Sequence, residues 1–352
     1  MFFAPSLFAV GLGVASAAAG PATLPGVQAD PAPGEEASRE AAAPAAGRLP
    51  SVVSLRWEND VVAGTDDNYT NGISLTYSRD GRGLLGGLWT RLGARGDGRY
   101  VSSYELGQLM MTPRDIRRPV PDPADRPYAG LLFVSVSTQY ARGRDFDGFK
   151  FITGVVGPAS LAEQLQRAFH HVTNNPMPQG WAYQLKNEPI LNLVYERRRR
   201  IPLFEASSGW GAEAIPVVGG MLGNVLTQAE GGAQVRVGYN LPDDFGTTLM
   251  RGLGNLPYPR TRRQSAAARA FGFYVFAGGG GNLVARNLTL DGNTFRDGPR
   301  VAKNPAFAAG EMGAAFWCRR FEMVFSYVHW GREFKAQAQA SRFGALTLAV
   351  HF

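Results

Sequence analysis

Residues 51–80 read SVVSLRWENDVVAGTDDNYTNGISLTYSRD, and this stretch decides the fold. In each half, apolar residues occupy every second position and polar residues lie between them, which is typical of a β-strand with one face against an apolar phase. The apolar positions are Val53, Leu55, Trp57, Ile73, Leu75 and Tyr77. If the alternation continues, Asp60 and Thr70 fall on the polar faces, and we expect both to point into the lumen of a barrel.

The rest of the chain repeats this pattern. After residue 50, no apolar run reaches the ~18 to 20 residues that a membrane helix needs, so a chain that spans a membrane would do so as a closed barrel. The last strand alternates and ends on an aromatic residue, Phe352. Twelve candidate strands, an even number as bacterial barrels require, lie near 51–58, 70–79, 101–112, 129–141, 147–157, 188–199, 207–219, 227–239, 268–281, 304–318, 321–331 and 343–352.

We therefore predict an all-β fold, a twelve-stranded antiparallel transmembrane β-barrel over residues 50–352. A soluble sandwich is the alternative for such strands. Residues 1–19 are apolar and end in small residues, which predicts a signal peptide, with an uncleaved anchor as the alternative. Residues 20–49 are rich in Ala and Pro, which predicts a disordered linker. The stretch from Leu241 to Ser265 is rich in Gly, Pro and Arg and predicts a long loop.

The net charge of +7 comes mostly from arginine and suits a polyanionic partner. No recognition helix, zinc-ligand spacing or RNA-binding motif accompanies it, so we expect no nucleic acid. A phosphorylated lipid surface would use the same charges. The single cysteine, Cys318, excludes an intrachain disulfide.

Residues 160–172 depart from the strand pattern and predict a short helical insertion. The apolar residues recur at helical spacing, and Ser160 is a candidate cap with Glu163 three residues later. The apolar set, Leu161, Leu165, Ala168 and Val172, is expected to form the packed side. Gln166 and His170 project from the opposite face, so His170 is the candidate general base, with a satisfied surface histidine as the alternative.

Oxygen donors cluster at the end of the first strand. Asn59 and Asp60, followed by Asp66, Asp67 and Asn68, suit a hard cation such as calcium, although an acidic turn between strands is the simpler interpretation. No Gly-x-Ser-x-Gly elbow is present. Hydrolysis by a histidine-activated water with a metal polarising the carbonyl therefore fits these residues better than a serine nucleophile.

Several separated motifs, in this order, give the chain a family resemblance over nearly all of residues 51–352. They are Glu58-Asn59-Asp60, Asn68-Tyr69-Thr70-Asn71-Gly72, Asp125-Arg126-Pro127-Tyr128-Ala129-Gly130, Gln166-x-x-x-His170, Gly180-Trp181-x-x-Gln184-Leu185-x-Asn187-Glu188-Pro189, Arg236-x-Gly238-x-Asn240-Leu241-Pro242-x-Asp244-Phe245-Gly246 and Leu290-Asp291-Gly292-Asn293. The chain resembles the LpxR-type lipid A deacylases, calcium-dependent barrels of the bacterial outer membrane that remove the 3′-linked acyloxyacyl group of lipid A.

The resemblance implies a set of site residues. Asn59, Asp60, Thr70, Gln166 and His170 match the active-site positions: His170 would deprotonate water, Asp60 would orient its imidazole, and Ca²⁺ near Asn59 and Thr70 would stabilise the oxyanion.

The chain departs from the family pattern at one place. Ile116 stands where a lysine is expected, within a basic cluster whose Arg117 and Arg118 would bind lipid A phosphates. Two other functions stay open at this point: a phospholipase acting on glycerophospholipids, and a non-enzymatic structural or transport barrel.

Overall fold

The computed structural model describes residues 49–60, 71–92, 98–247, 252–260 and 270–352. The predicted signal peptide, most of the predicted linker and Thr70 lie outside these residues. The described residues form one antiparallel sheet in which almost every strand pairs with its sequence neighbours. Its strands are β1 (Val52–Asn59), β2 (Asn71–Asp80), β3 (Arg99–Met111), β4 (Ala129–Arg142), β5 (Asp145–Val156), β6 (Glu188–Arg199), β7 (Ile201–Glu205), β8 (Trp210–Gly223), β9 (Leu226–Tyr239), β10 (Phe271–Asn287), β11 (Ala306–Cys318), β12 (Phe321–Trp330) and β13 (Ser341–His351).

The sheet closes into a barrel of twelve wall strands. β1 pairs with both β2 and β13, which joins the first strand to the last. Both β6 and β7 pair with β8 in one register, with Arg198 opposite Val217 and Ile201 opposite Ala214, so they form a single wall strand interrupted at Arg200. The predicted twelve-stranded antiparallel barrel is therefore confirmed.

The wall has an apolar outer face. Leu55, Leu75, Leu106, Val134 and Leu193 are each about half exposed, although they are large aliphatic side chains in well-formed strands. Residues of the other parity are buried, and many of them are polar. This two-sided pattern is that of a barrel wall between lipid and a polar lumen. None of the helices in the described part of the chain is long and apolar enough to cross a membrane.

The lumen is filled by charge pairs and by part of the predicted long loop, which we call the lumen loop (residues 241–247 and 252–260). Lys150 is buried and donates to Glu105 Oε2 at 2.5 Å, to Leu253 O at 2.7 Å and to Asn255 O at 3.1 Å. Aromatic side chains add apolar contact, since the rings of Phe146 and Phe245 lie 5.2 Å apart. Wall cations thus hold the loop by its backbone carbonyls.

Three helices accompany the wall: α1 (Gly87–Arg91), α2 (Ala162–Thr173) and α3 (Leu288–Asp291). α2 is the predicted insertion, but Ser160 is not its cap. Ser160 lies in the 3₁₀ turn Pro158–Ser160, and Leu161, with φ 59°, takes the cap position without a side-chain hydrogen bond.

The predicted orientation of α2 is wrong. Its buried residues are Ala162, Gln166 and His170, whereas Leu161 is 54% exposed and Val172 is 83% exposed. In a soluble protein the apolar side of such a helix packs on the core. On a barrel, however, the apolar phase is the lipid outside, and the polar side of α2 faces the wall.

Candidate functional site

A cavity of about 180 Å³ lies between the barrel wall and α2. Its lining residues come from three strands, from α2 and from the segment after it: Trp57, Asn59, Asp60, Asn71, Ile73, Met110, Leu165, Gln166, Phe169, His170 and Asn175. The cavity therefore brings together Asn59, Asp60, Gln166 and His170, four of the five predicted catalytic residues. The fifth, Thr70, lies outside the described residues.

The cavity is on the outer side of the wall. Trp57 and Asn59 share strand parity with exposed Leu55, and Asn59 is paired with Asn71, which in turn is paired with Met110. Residues opposite one another in neighbouring strands share a face of the sheet. Asp60 lines this same cavity, so the expectation that it points into the lumen is wrong, while the expectation for Thr70 falls outside the described residues. Alternation along a strand cannot show that a helix covers part of the outer face.

Close backbone contact seats α2 on this face. Gln108 Nε2 donates to Ser160 O at 2.6 Å, and Gly157 N donates to Gly130 O at 2.8 Å. A Cβ on Gly130 would lie 2.2 Å from Ser160 Oγ and 2.4 Å from Ala162 Cβ. The glycine that ends the Asp-Arg-Pro-Tyr-Ala-Gly motif thus permits the approach of α2 to the wall.

The segment that follows α2 fixes the imidazole of His170. Asn174, with φ 54°, adopts the left-handed conformation that ends the helix, and the chain turns back so that Pro176 O lies 2.7 Å from His170 Nδ1. A carbonyl oxygen only accepts hydrogen bonds, so Nδ1 carries the proton and Nε2 is the basic nitrogen. A backbone carbonyl is thus the partner of Nδ1, and the role of Asp60 in orienting the imidazole stays a prediction.

Gln166 is fixed from the other side. The indole of Trp181 donates to Gln166 Oε1 at 2.6 Å, and both side chains are buried. The Trp181 ring lies 4.9 Å from the ring of Tyr128, in a small cluster that also contains Ile116. The apolar Ile116 fits this cluster, where a lysine would bring a charge into an apolar contact.

The cavity has a polar back and an apolar mouth. Asp60 is 1% exposed, and the remaining polar side chains of the back are amides and the imidazole. Four apolar lining residues, Trp57, Ile73, Leu165 and Phe169, are each at least partly exposed and so mark the open side of the cavity, its mouth. Such a site accommodates an ester carbonyl at the back and hydrocarbon at the mouth.

The donor set fits calcium by type. Asp60 supplies carboxylate oxygens, and Asn59 and Asn71 supply amide oxygens, which are the ligands that Ca²⁺ prefers. The described residues contain no group of three or more His, Cys, Asp or Glu side chains placed to hold a metal. A single carboxylate therefore dominates the described donors of the cavity.

Arg117 and Arg118 lie in the exposed loop between β3 and β4. Arg118 pairs with Asp122 at 3.3 Å, with both side chains about half exposed. Neither arginine belongs to the described residues that line the cavity. They follow Ile116 in the sequence, and Ile116 belongs to the same apolar cluster as Ala162 of α2.

The other histidines are elsewhere. His171 and His329 are exposed, and His351 Nε2 lies 2.9 Å from Glu322 Oε2.

Sequence reasoning missed Asn71, Asn175, Trp181, the carbonyl of Pro176 and the residues of the mouth. Only Asn71 and Trp181 carried a signal, as members of family motifs.

Comparisons with known proteins agree with this architecture. LpxR from Salmonella typhimurium has a similar structure, with a TM-score of 0.69 and 19% sequence identity over 86% of this chain and 100% of that one. The β-domain of the Bordetella autotransporter BrkA matches with a TM-score of 0.42 and 11% identity over 87% and 99% of the two chains. A search of curated proteins finds no match.

The family model described as "Outer membrane protein LpxR" matches residues 32–352. This match locates the chain in the bacterial outer membrane. The chain belongs to the LpxR family of outer-membrane β-barrel proteins.

Proposed function

We propose that this protein is an outer-membrane carboxylic ester hydrolase that removes the 3′-acyloxyacyl group of lipid A. The observation that carries the proposal is the position of His170. Its imidazole lines a cavity on the lipid side of the wall, with a polar back and an apolar mouth. An ester embedded among acyl chains can reach such a cavity from the membrane, whereas a solute in the lumen cannot.

The chemistry begins with water activation. With Nδ1 held by the Pro176 carbonyl, His170 Nε2 takes a proton from water, and the resulting hydroxide attacks the ester carbonyl. The imidazolium that forms is stabilised by the carbonyl at Nδ1 and by the negative charge of Asp60 in the same cavity. The same ring then returns the proton to the leaving alkoxide.

Calcium is part of the proposal. Asn59 and Asp60, together with the Thr70 region, would hold the ion at the polar back of the cavity. When bound there, Ca²⁺ would supply positive charge to the ester carbonyl as negative charge develops on its oxygen.

The substrate would enter from the side. Ile73 of the mouth belongs to the same face of β2 as Leu75, which is 51% exposed in the apolar band. An acyl chain lying along that band would therefore continue into the cavity. Arg117 and Arg118 would meet phosphates at the rim, as phosphorylated lipid A would require.

The test is lipid mass spectrometry with a matched pair of variants. His170→Ala should abolish release of the acyl group, while His171→Ala, the exposed neighbour, should retain it. Heat-modifiable mobility in gels would show that both barrels assemble. Full activity of His170→Ala would refute the mechanism.

Substrate class is tested in the same assay. Purified protein is incubated with lipid A and, separately, with glycerophospholipid, each with Ca²⁺. Fatty acid released only from the phospholipid would refute the lipid A assignment and favour a phospholipase. Conductance in planar bilayers without any ester cleavage would favour a transport barrel, which the packed lumen loop disfavours.

A further inference from the structure

We infer that Trp181 is a positioning residue that makes the Gln166 amide a hydrogen-bond donor in the site. This inference rests on the proposed function and deepens it. Trp181 lies in the loop after α2 and carries no reacting atom, yet its indole N–H donates a hydrogen bond to the side chain of Gln166.

The indole decides which way the amide points. An indole N–H only donates, so the atom of Gln166 at 2.6 Å from Trp181 Nε1 is the carbonyl Oε1. The amide nitrogen Nε2 is consequently turned away from Trp181. Nε2 is buried and has no hydrogen-bond partner among the described residues, while Gln166 lines the cavity.

A buried donor without a protein partner is unusual in a folded protein. Gln166 is 2% exposed, so bulk solvent does not satisfy it. The partner that fits is an oxygen of the substrate. Donation to the ester carbonyl strengthens as that oxygen becomes negative, so the Gln166 amide would lower the barrier to attack.

Close packing of Gly180 against Tyr128 and Pro121 keeps the indole of Trp181 in place. A Cβ on Gly180 would lie 2.6 Å from the Tyr128 ring and 2.8 Å from Pro121 Cγ, so the residue before Trp181 packs without a side chain. Leu185 N donates to Tyr128 O at 3.0 Å. The Gly-Trp motif and the Asp-Arg-Pro-Tyr motif thus meet in one rigid support for Gln166.

The competing role for Gln166 is calcium binding through Oε1. Gln166→Glu separates the two, because glutamate keeps an oxygen for the indole and turns a second oxygen toward the cavity. A donor role predicts a loss of about 100-fold or more in kcat. A ligand role predicts retained activity with a lower Ca²⁺ requirement, since a carboxylate binds Ca²⁺ better than an amide. That second outcome would overturn the inference.

Trp181→Phe removes the N–H and keeps a ring against Tyr128. We expect kcat to fall about 10-fold with KM within about 2-fold, because the freed amide presents its donor only part of the time. In the Gln166→Glu background the same change should have no further effect. Equal losses in both backgrounds would mean that Trp181 only packs, and would overturn the inference.

Trp89→Phe is the matched control, since Trp89 is also buried and its indole donates to Thr138 Oγ1 at 2.8 Å, away from the cavity. It should leave kcat unchanged.

The wild-type turnover is measured first. An inactive wild type would refute the proposed function together with this inference, whereas an active wild type matched by Trp181→Phe would refute the inference alone. Indole NMR gives a readout without turnover: the resonance that Trp181→Phe deletes should shift when Gln166→Leu removes the acceptor. No shift would contradict the hydrogen bond.

Discussion

Adding one methyl group at Gly130 should strongly reduce the proposed hydrolytic activity without opening the barrel. In Gly130→Ala, the new Cβ would lie 2.4 Å from Ala162 Cβ, whereas ordinary contact begins at 3.4 Å. Ser160 Oγ can rotate away, but Ala162 Cβ is fixed to the backbone of α2. The helix must therefore retreat by about 1 Å from the wall.

The retreat carries Gln166 and His170 away from Asn59 and Asp60, which stay on the wall. A misplacement of about 1 Å costs about 100-fold in rate, equivalent to about 2.7 kcal/mol of activation free energy. The assay is the initial rate of fatty-acid release from lipid A, with gel mobility to confirm that the barrel has folded.

Two further variants make the reasoning refutable. Gly231→Ala is the control, because a Cβ on this strand glycine meets nothing within 4 Å, and it should keep the wild-type rate. Ala162→Gly added to Gly130→Ala removes the colliding carbon and should recover most of the lost activity. A Gly130→Ala enzyme with the wild-type rate, or a loss that Ala162→Gly leaves unchanged, would show that the seating of α2 does not control catalysis.

Removal of divalent cations with a chelator should stop fatty-acid release, and added Ca²⁺ should restore it. Because one carboxylate dominates the described donors, the midpoint of restoration should lie at about 10⁻⁴ to 10⁻³ M Ca²⁺. A midpoint below about 10⁻⁶ M would contradict this. Leu165→Asn should raise KM for lipid vesicles several-fold and spare a short-chain soluble ester, because Leu165 forms the apolar mouth; equal effects on both substrates would argue against lateral entry. Burial alone would raise the pKa of Asp244, but the Arg236 guanidinium and the Gly246 N–H hold this pKa below its usual value. Its contribution to stability is therefore present above about pH 4 and is lost as the pH falls further. Asp244→Asn should lower the thermal unfolding temperature more at pH 7 than at pH 3, as followed by circular dichroism; equal shifts would contradict the pairing.

The strands could be predicted because one face of each strand meets lipid and the other face meets the lumen. The wall residues Leu55 and Leu75 meet lipid while Arg56 and Glu58 meet the lumen, and this contrast is written in the sequence at a period of two. The interruption of a wall strand was harder to predict. β7 continues β6 in the same register against β8 after Arg200.

The sequence predicted most residues of the site but placed the site on the wrong side of the barrel wall. His170 and Gln166 stood out through helical spacing and family motifs, but the covering of Asn59 and Asn71 by α2 depends on contacts between segments about 100 residues apart. The partner of His170 Nδ1 is a backbone carbonyl, to which any residue at position 176 would contribute equally. Neither feature leaves a local pattern in the sequence.

β1 holds a special place in the wall, because it pairs on one side with β2 and on the other with the last strand of the chain, Asn59 opposite both Asn71 and Gly344. The seam of the cylinder therefore runs beside the residues proposed to hold the ion. In a chain whose first and last strands have not yet paired, the surface that α2 contacts is not yet formed. Hydrolytic competence would then arrive together with closure, and a polypeptide still in transit would leave the lipids it passes untouched.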